Sequence, residues 1–141
     1  MKKQILFAAF FITLVFAFAC TENSPSGPSV NVYKYTGYNS SGSKIISGFL
    51  TIVQDTSSIV TGDWQFAPIG NCNEVGPQLG SGNFIGSLDS LNTLQINLNP
   101  DIVDNNVFLI GNFEYSHYVG TWSYSGFAGL INQGTFEAHK R

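Results

Sequence analysis

Five times the chain places an aromatic residue two positions after a glycine: Gly62-Asp63-Trp64, Gly82-Asn83-Phe84, Gly111-Asn112-Phe113, Gly120-Thr121-Trp122 and Gly134-Thr135-Phe136. The middle residue is polar each time. In a β-strand, residues two apart share a face and the residue between them points the other way. The spacing therefore predicts strands with a wet outer face. On the inner face a glycine sits beside each ring, where it leaves room for a large side chain from the next strand and lets the strand bend. Small barrels alternate small and large inward residues for this reason. The repeat points to a strongly coiled, closed sheet, with a flatter two-sheet sandwich as the alternative.

After the first twenty residues no segment shows a helical apolar period. Short runs rich in Val, Ile, Thr, Phe, Tyr and Trp alternate with Asn, Ser, Gly and Asp clusters, the signature of strands joined by turns. The runs predict strands over residues 30–38, 44–54, 59–66, 82–88, 93–98, 106–115, 118–125 and 133–140. Ser116-His117 reads as a two-residue turn. Pro68, Pro77 and Pro100 fall between the runs, as strand interiors require. The expected fold is all-β, a single up-and-down antiparallel meander barrel of about eight strands, preceded by a signal-peptide helix. Alternation turns Leu50, Ile52, Trp64, Phe66, Phe84, Leu94, Ile96, Leu98, Leu109, Phe113, Tyr115, Trp122, Tyr124 and Phe136 inward. It turns Phe49, Ile85, Phe108 and Ile110 outward. The first strand is ambiguous, with Val32 and Tyr38 on one face and Tyr33 and Tyr35 on the other.

Eight short consecutive strands with hairpin links resemble the up-and-down barrels of the calycin group: lipocalins, fatty-acid-binding proteins and avidins. The resemblance covers roughly residues 30–140 and is one of pattern, so no family binding residue is carried onto this chain. It implies a barrel that binds something. A barrel of this strand number is either filled by side chains or holds one small ligand. The many inward rings, each burying about 150–250 Å², predict a largely packed interior and a small apolar pocket near one mouth. Trp64, Phe66, Phe113, Tyr115, Trp122 and Tyr124 are the candidate ligand-binding residues of the interior. Residues 67–80, 99–105 and 126–132 are the candidate rim, with Phe127, Leu130 and Ile131 as contact residues on an exposed loop.

The N-terminus supplies an address. Lys2 and Lys3 precede an apolar run from Ile5 to Ala19, too short for a comfortable membrane span and suited to a signal peptide. Ala17-Phe18-Ala19-Cys20 resembles the bacterial lipoprotein signal, or lipobox. The resemblance implies cleavage before Cys20, lipidation of Cys20 and attachment to a membrane through that lipid. An ordinary cleaved signal and an uncleaved anchor are the competing readings. Acyl chains contribute about 0.8 kcal/mol per buried methylene, so even two would anchor the chain stably. Thr21 after the cysteine implies, by the enterobacterial sorting rule, the outer membrane, with the domain facing the periplasm or the cell surface. The expected organisation is a signal peptide over residues 1–19, a lipidated cysteine and flexible tether over 20–29 and a barrel domain over 30–141. The tether, rich in Pro, Gly and Ser, has no apolar periodicity.

Without the signal, Lys34, Lys44, Lys140 and Arg141 face nine acids. There is no basic stretch, which argues against nucleic acid as a partner. Cys72 is the one thiol besides Cys20 and reads as a buried, inert residue rather than a nucleophile. His117 and His139 have no neighbour at metal-ligand spacing. Asp101 and Asp104 lack the calcium-loop pattern, and Glu114 and Glu137 fall on the outer face. No phosphate loop, nucleophile elbow or dinucleotide fingerprint is present. The sequence thus leads to a non-catalytic binding domain with no cofactor and no metal. Its leading ligand is a small hydrophobic molecule. The alternative is a protein-interaction module, such as an enzyme inhibitor or envelope scaffold, with a filled barrel. An open or a filled lumen separates the two.

Overall fold

The computed structural model describes residues 27–70 and 75–141. The expected signal peptide, Cys20, most of the tether and Cys72 lie outside the described residues. Eight strands follow one another: β1 (Ser29–Asn39), β2 (Lys44–Gln54), β3 (Ile59–Pro68), β4 (Gly80–Leu88), β5 (Thr93–Asn97), β6 (Asn105–Glu114), β7 (His117–Gly126) and β8 (Gly129–Lys140). Each pairs antiparallel with the next, and β1 pairs with β8 to close the barrel. The expected meander is present, and closure leaves the sheet without a free edge. A sandwich does not form.

The strand register explains the repeated motif. In β3 and β4, Gly62 lies opposite Phe84 and Trp64 lies opposite Gly82. In β7 and β8, Gly120 lies opposite Phe136 and Trp122 opposite Gly134. Antiparallel pairing of two Gly-x-aromatic segments thus sets each aromatic residue opposite the other segment's glycine. The fit is close. A Cβ at Gly62 would come within 2.8 Å of the Phe84 ring, and one at Gly134 within 2.7 Å of the Trp122 indole nitrogen. Only glycine lets strands so close carry rings so large on the concave face.

The inward positions form one core. Rings touch in sequence along it. Trp64 tilts against Phe66 at 5.3 Å, Phe66 stacks on Tyr35 at 4.2 Å, and Tyr35 stacks on Phe136 at 5.6 Å. Phe136 meets Tyr118 edge-on at 4.6 Å, Tyr118 meets Phe113 at 5.9 Å, and Phe113 meets Tyr33 at 5.9 Å. Aliphatic residues such as Leu50, Ile52, Leu94, Ile96 and Leu109 fill the wall between them. Tyr33 and Tyr35 settle the ambiguity of the first strand, since both are fully buried while Val30 and Val32 are exposed.

The two ends of the barrel differ. One end, the terminal end, holds the start of β1, the end of β8 and the β2–β3, β4–β5 and β6–β7 turns. The other, the loop end, holds the β1–β2 and β7–β8 hairpins, residues 69–70 and 75–79, and the connection 98–104. The loop end is stoppered. Val75 and Gln78 are fully buried, and Gln78 Oε1 accepts the Tyr35 hydroxyl at 3.4 Å while its Nε2 donates to the Val75 carbonyl at 3.1 Å. Gly76, with φ of +59°, packs flat against Tyr124. A bulge in β2 passes over Ile45, so that Ile45 and Ile46 are both buried and the Ile45 carbonyl accepts the Ile69 amide at 2.8 Å.

Two local expectations are corrected. The β6–β7 turn is Tyr115-Ser116, with Glu114 paired to His117, one residue earlier than Ser116-His117. Residues 126–132 are not a loop. Gly126 pairs with Gly129, and the strands continue directly into the turn, with Ile131 bulged out of the register. Gly129 there adopts a φ of +102°, which glycine tolerates and other residues do not.

Candidate functional site

Three places were open to a binding role: the lumen, the loop end and the terminal end. The lumen is filled. Trp64, Phe66, Phe113 and Trp122 are buried members of the ring series or its wall. Tyr124 is half-buried against the stopper and the core. Tyr115 is a correction: alternation turned it inward, yet it is 76% exposed. Strand β6 stops at Glu114, so Tyr115 belongs to the turn and loses the alternation that would have buried it. Its ring lies under Lys140 Nζ, 3.3 Å from the centroid.

The polar atoms of the lumen are satisfied within the chain. Trp64 Nε1 donates to the Leu98 carbonyl and Trp122 Nε1 to the Tyr38 carbonyl, both at 2.8 Å. The Tyr118 hydroxyl lies 2.9 Å from the carbonyls of both Leu94 and Leu109. Buried aromatic polar tips usually find such partners. Burial pushes the Tyr35 and Tyr118 hydroxyls well above the ordinary tyrosine range, so both stay neutral. Among the described residues, none of these packed groups is left unsatisfied for a ligand deep in the lumen.

The loop end is apolar and exposed. Phe127 stands 93% exposed at the tip of the β7–β8 turn, with Leu130 and Ile131 beside it on β8. Ile102 and Val103 of the 98–104 connection and Ile69 of the stopper are exposed at the same end. The β7–β8 tip and the 98–104 connection adjoin, since a Cβ on Gly126 would come within 3.3 Å of the Asp104 carbonyl.

The terminal end is open to a recess of about 370 Å³, lined by Ser29, Asn31, Tyr33, Gln54, Leu88, Asn92, Phe113, Glu114 and Tyr115. Here Ser29, Asn31 and Gln54 take the inward positions that hold rings and aliphatic residues deeper down. The Tyr33 hydroxyl donates to the Tyr115 carbonyl at 3.3 Å.

The outer face is polar between scattered apolar residues. Phe49, Ile85 and Ile110 are exposed there, and Phe108 is half-buried. This is the reverse of a membrane-spanning barrel, which is apolar outside and polar within. Strand pairing also brings together residues that looked isolated. His117 and His139 are cross-strand partners with ring centroids 6.4 Å apart. Their Nε2 atoms lie 3.4 Å from Glu114 and 3.6 Å from Glu137. Glu137 also accepts the Tyr38 hydroxyl, which holds its carboxyl below the usual range, with His139 and Lys44 adding to the effect. Only the β7–β8 register, not sequence spacing, could have revealed this pair. Among the described residues no group of three or more His, Cys, Asp or Glu side chains is placed to hold a metal ion.

The described chain is thus a closed, eight-stranded antiparallel barrel with a packed interior, an architecture compatible with the calycin type. No family model, no curated protein and no solved structure matches the chain.

Proposed function

We propose that the protein is a non-catalytic envelope lipoprotein, anchored by lipid on Cys20, whose filled barrel acts through its surface as a protein-interaction module. The observation that carries the reading is the unbroken ring series from Trp64 to Tyr33. A hydrophobic ligand in the lumen would have to displace buried rings whose removal costs about 3–5 kcal/mol each. A rigid, solid barrel is instead suited to presenting side chains on its exterior.

The exposed apolar residues of the loop end are the favoured contact surface. Protein interfaces centre on aromatic and aliphatic anchors, and Phe127 has the shape of such an anchor. The position also fits the address. Both described ends of the chain lie at the terminal end, so a lipid at Cys20 on a short tether directs Phe127 away from the anchoring membrane. An outer-membrane location follows from Thr21 by the sorting rule.

A photo-crosslinking residue at position 127, in cells of the native host, tests the contact surface. The same residue at Leu91, exposed at the terminal end, serves as the comparison. A discrete protein adduct from position 127 and none from position 91 is expected. No adduct at 127, or the same adducts from both, would refute the module. The anchor has its own test: Cys20→Ser should abolish labelling by a radioactive fatty acid, and unchanged labelling removes the lipoprotein reading.

A further inference from the structure

We propose that the recess at the terminal end is a binding site for a neutral saccharide of one or two rings. Its chemistry differs from the rest of the interior. Phe113 and Tyr33 close it below, both buried, the Tyr115 ring stands exposed beside it, and Asn31, Gln54 and Asn92, each with a side-chain amide, are among its lining residues. Asn31 and Gln54 occupy inward-facing strand positions, as Tyr33 and Ile52 do one step deeper. A small barrel normally closes such positions with apolar side chains. These amides make no hydrogen bond to another described residue, in contrast to the Trp, Tyr and Gln side chains of the lumen, which are satisfied.

The ligand class follows from these groups. A side-chain amide both donates and accepts, and a sugar hydroxyl does the same. The exposed Tyr115 ring offers an aromatic surface to the apolar C–H face of a pyranose. The charged groups at the rim are already engaged. Glu114 accepts Asn112 Nδ2 on one oxygen at 3.1 Å and faces His117 with the other. Lys140 sits over the Tyr115 ring. An ionic ligand would have to compete with these contacts, and a wholly apolar ligand would leave three amides without partners. The volume, about 370 Å³, lies within the range of small-ligand sites. This site is separate from the loop-end surface and stands or falls independently of it.

The test is saturation-transfer NMR on the full chain in lipid nanodiscs. The probes are glucose, galactose, N-acetylglucosamine, cellobiose, lactose and chitobiose. Saturable transfer to ring C–H protons of at least one of them is expected. Asn31→Ala and Gln54→Ala should each weaken binding about fivefold, the loss of roughly one hydrogen bond. Asn92 has a φ of +61°, so Asn92→Gly removes its amide while keeping the turn, and should weaken binding similarly. Leu91→Ala, outside the recess, should leave it unchanged. Near-UV circular dichroism checks that each variant keeps its packed rings. Absence of transfer from every probe up to about 10 mM, weaker than any useful affinity, overturns the proposal. So does transfer that survives all three amide variants, which places the sugar elsewhere.

Discussion

Gly82→Ala isolates the ring-over-glycine interlock from backbone effects. The three atoms that a Cβ at Gly82 would meet first all belong to the Trp64 indole: Nε1 at 3.0 Å, Cε2 at 3.1 Å and Cζ2 at 3.2 Å. The φ of Gly82 is not positive, so alanine suits the backbone. Replacing glycine by alanine there should gain about 0.4–1 kcal/mol through the unfolded chain. Overpacking against the indole should cost about 1–3 kcal/mol. The net expectation is a loss of up to about 2.6 kcal/mol. Trp64→Phe alone removes the bond to the Leu98 carbonyl and should cost about 1–3 kcal/mol. In the double variant the smaller ring vacates the space the new methyl needs. Its cost should therefore fall short of the sum by about 1–2 kcal/mol. Urea unfolding followed by far-UV circular dichroism measures all four corners of the cycle. Additivity within about 0.5 kcal/mol, the behaviour of independent sites, would refute the interlock. So would a Gly82→Ala variant more stable than the parent.

Three further outcomes are expected. Gly134→Ala, whose Cβ would stand 1.9 Å from the Tyr38 carbonyl and 2.7 Å from Trp122 Nε1, should cost more than about 3 kcal/mol or prevent folding, read by denaturant unfolding and soluble yield. Tyr118→Phe should lose about 2 kcal/mol, because it strips a shared donor from the buried Leu94 and Leu109 carbonyls; a change under 0.5 kcal/mol in the urea midpoint series contradicts this. Asp89 receives the Thr93 and Leu91 amides, chiefly the Thr93 bond holding its carboxyl below the ordinary range. Its stabilisation is complete above the unfolded-state aspartate pKa near about 4 and is lost as pH falls through the lower folded-state value. The acid-side fall in Tm should therefore be shallower in Asp89→Asn than in the parent.

Local alternation made much of the barrel legible. The spacing of Gly62 and Trp64, or of Gly120 and Trp122, states which face is inward without any knowledge of the partner strand. That Gly62 would meet Phe84, however, depends on register, which spacing within one strand does not contain. Tyr33 and Tyr35 stayed ambiguous because the outer face of β1 also carries large side chains, Val30, Val32 and Tyr38, so alternation alone does not choose between the faces. Tyr115 was misplaced because alternation persists on paper after a strand has turned, and neither Ser116 nor His117 marks the turn strongly. Residues 126–132 looked like a loop through their two glycines, which instead shape a tight hairpin and its flank. The stopper was illegible for another reason. Gln78 is bonded to Tyr35 and Gly76 packs on Tyr124, partners that no local pattern names. The recess at the terminal end was likewise hidden, since Asn31 and Gln54 read as ordinary polar strand ends until the register set them over the same ring floor.

Closure of the barrel by β1 and β8 has a mechanical consequence. The two strands are antiparallel neighbours, and the start of one lies beside the end of the other. A force applied between the chain's two ends would open their shared seam one hydrogen bond at a time, at low resistance. A force applied between the start of β1 and the loop end acts differently. It draws β1 along its own axis, against the ladders of β2 and β8 together, so that many bonds must yield at once. Under the proposed anchoring at Cys20 and contact at Phe127, the barrel would be loaded in this second direction, the one in which its sheet is strongest.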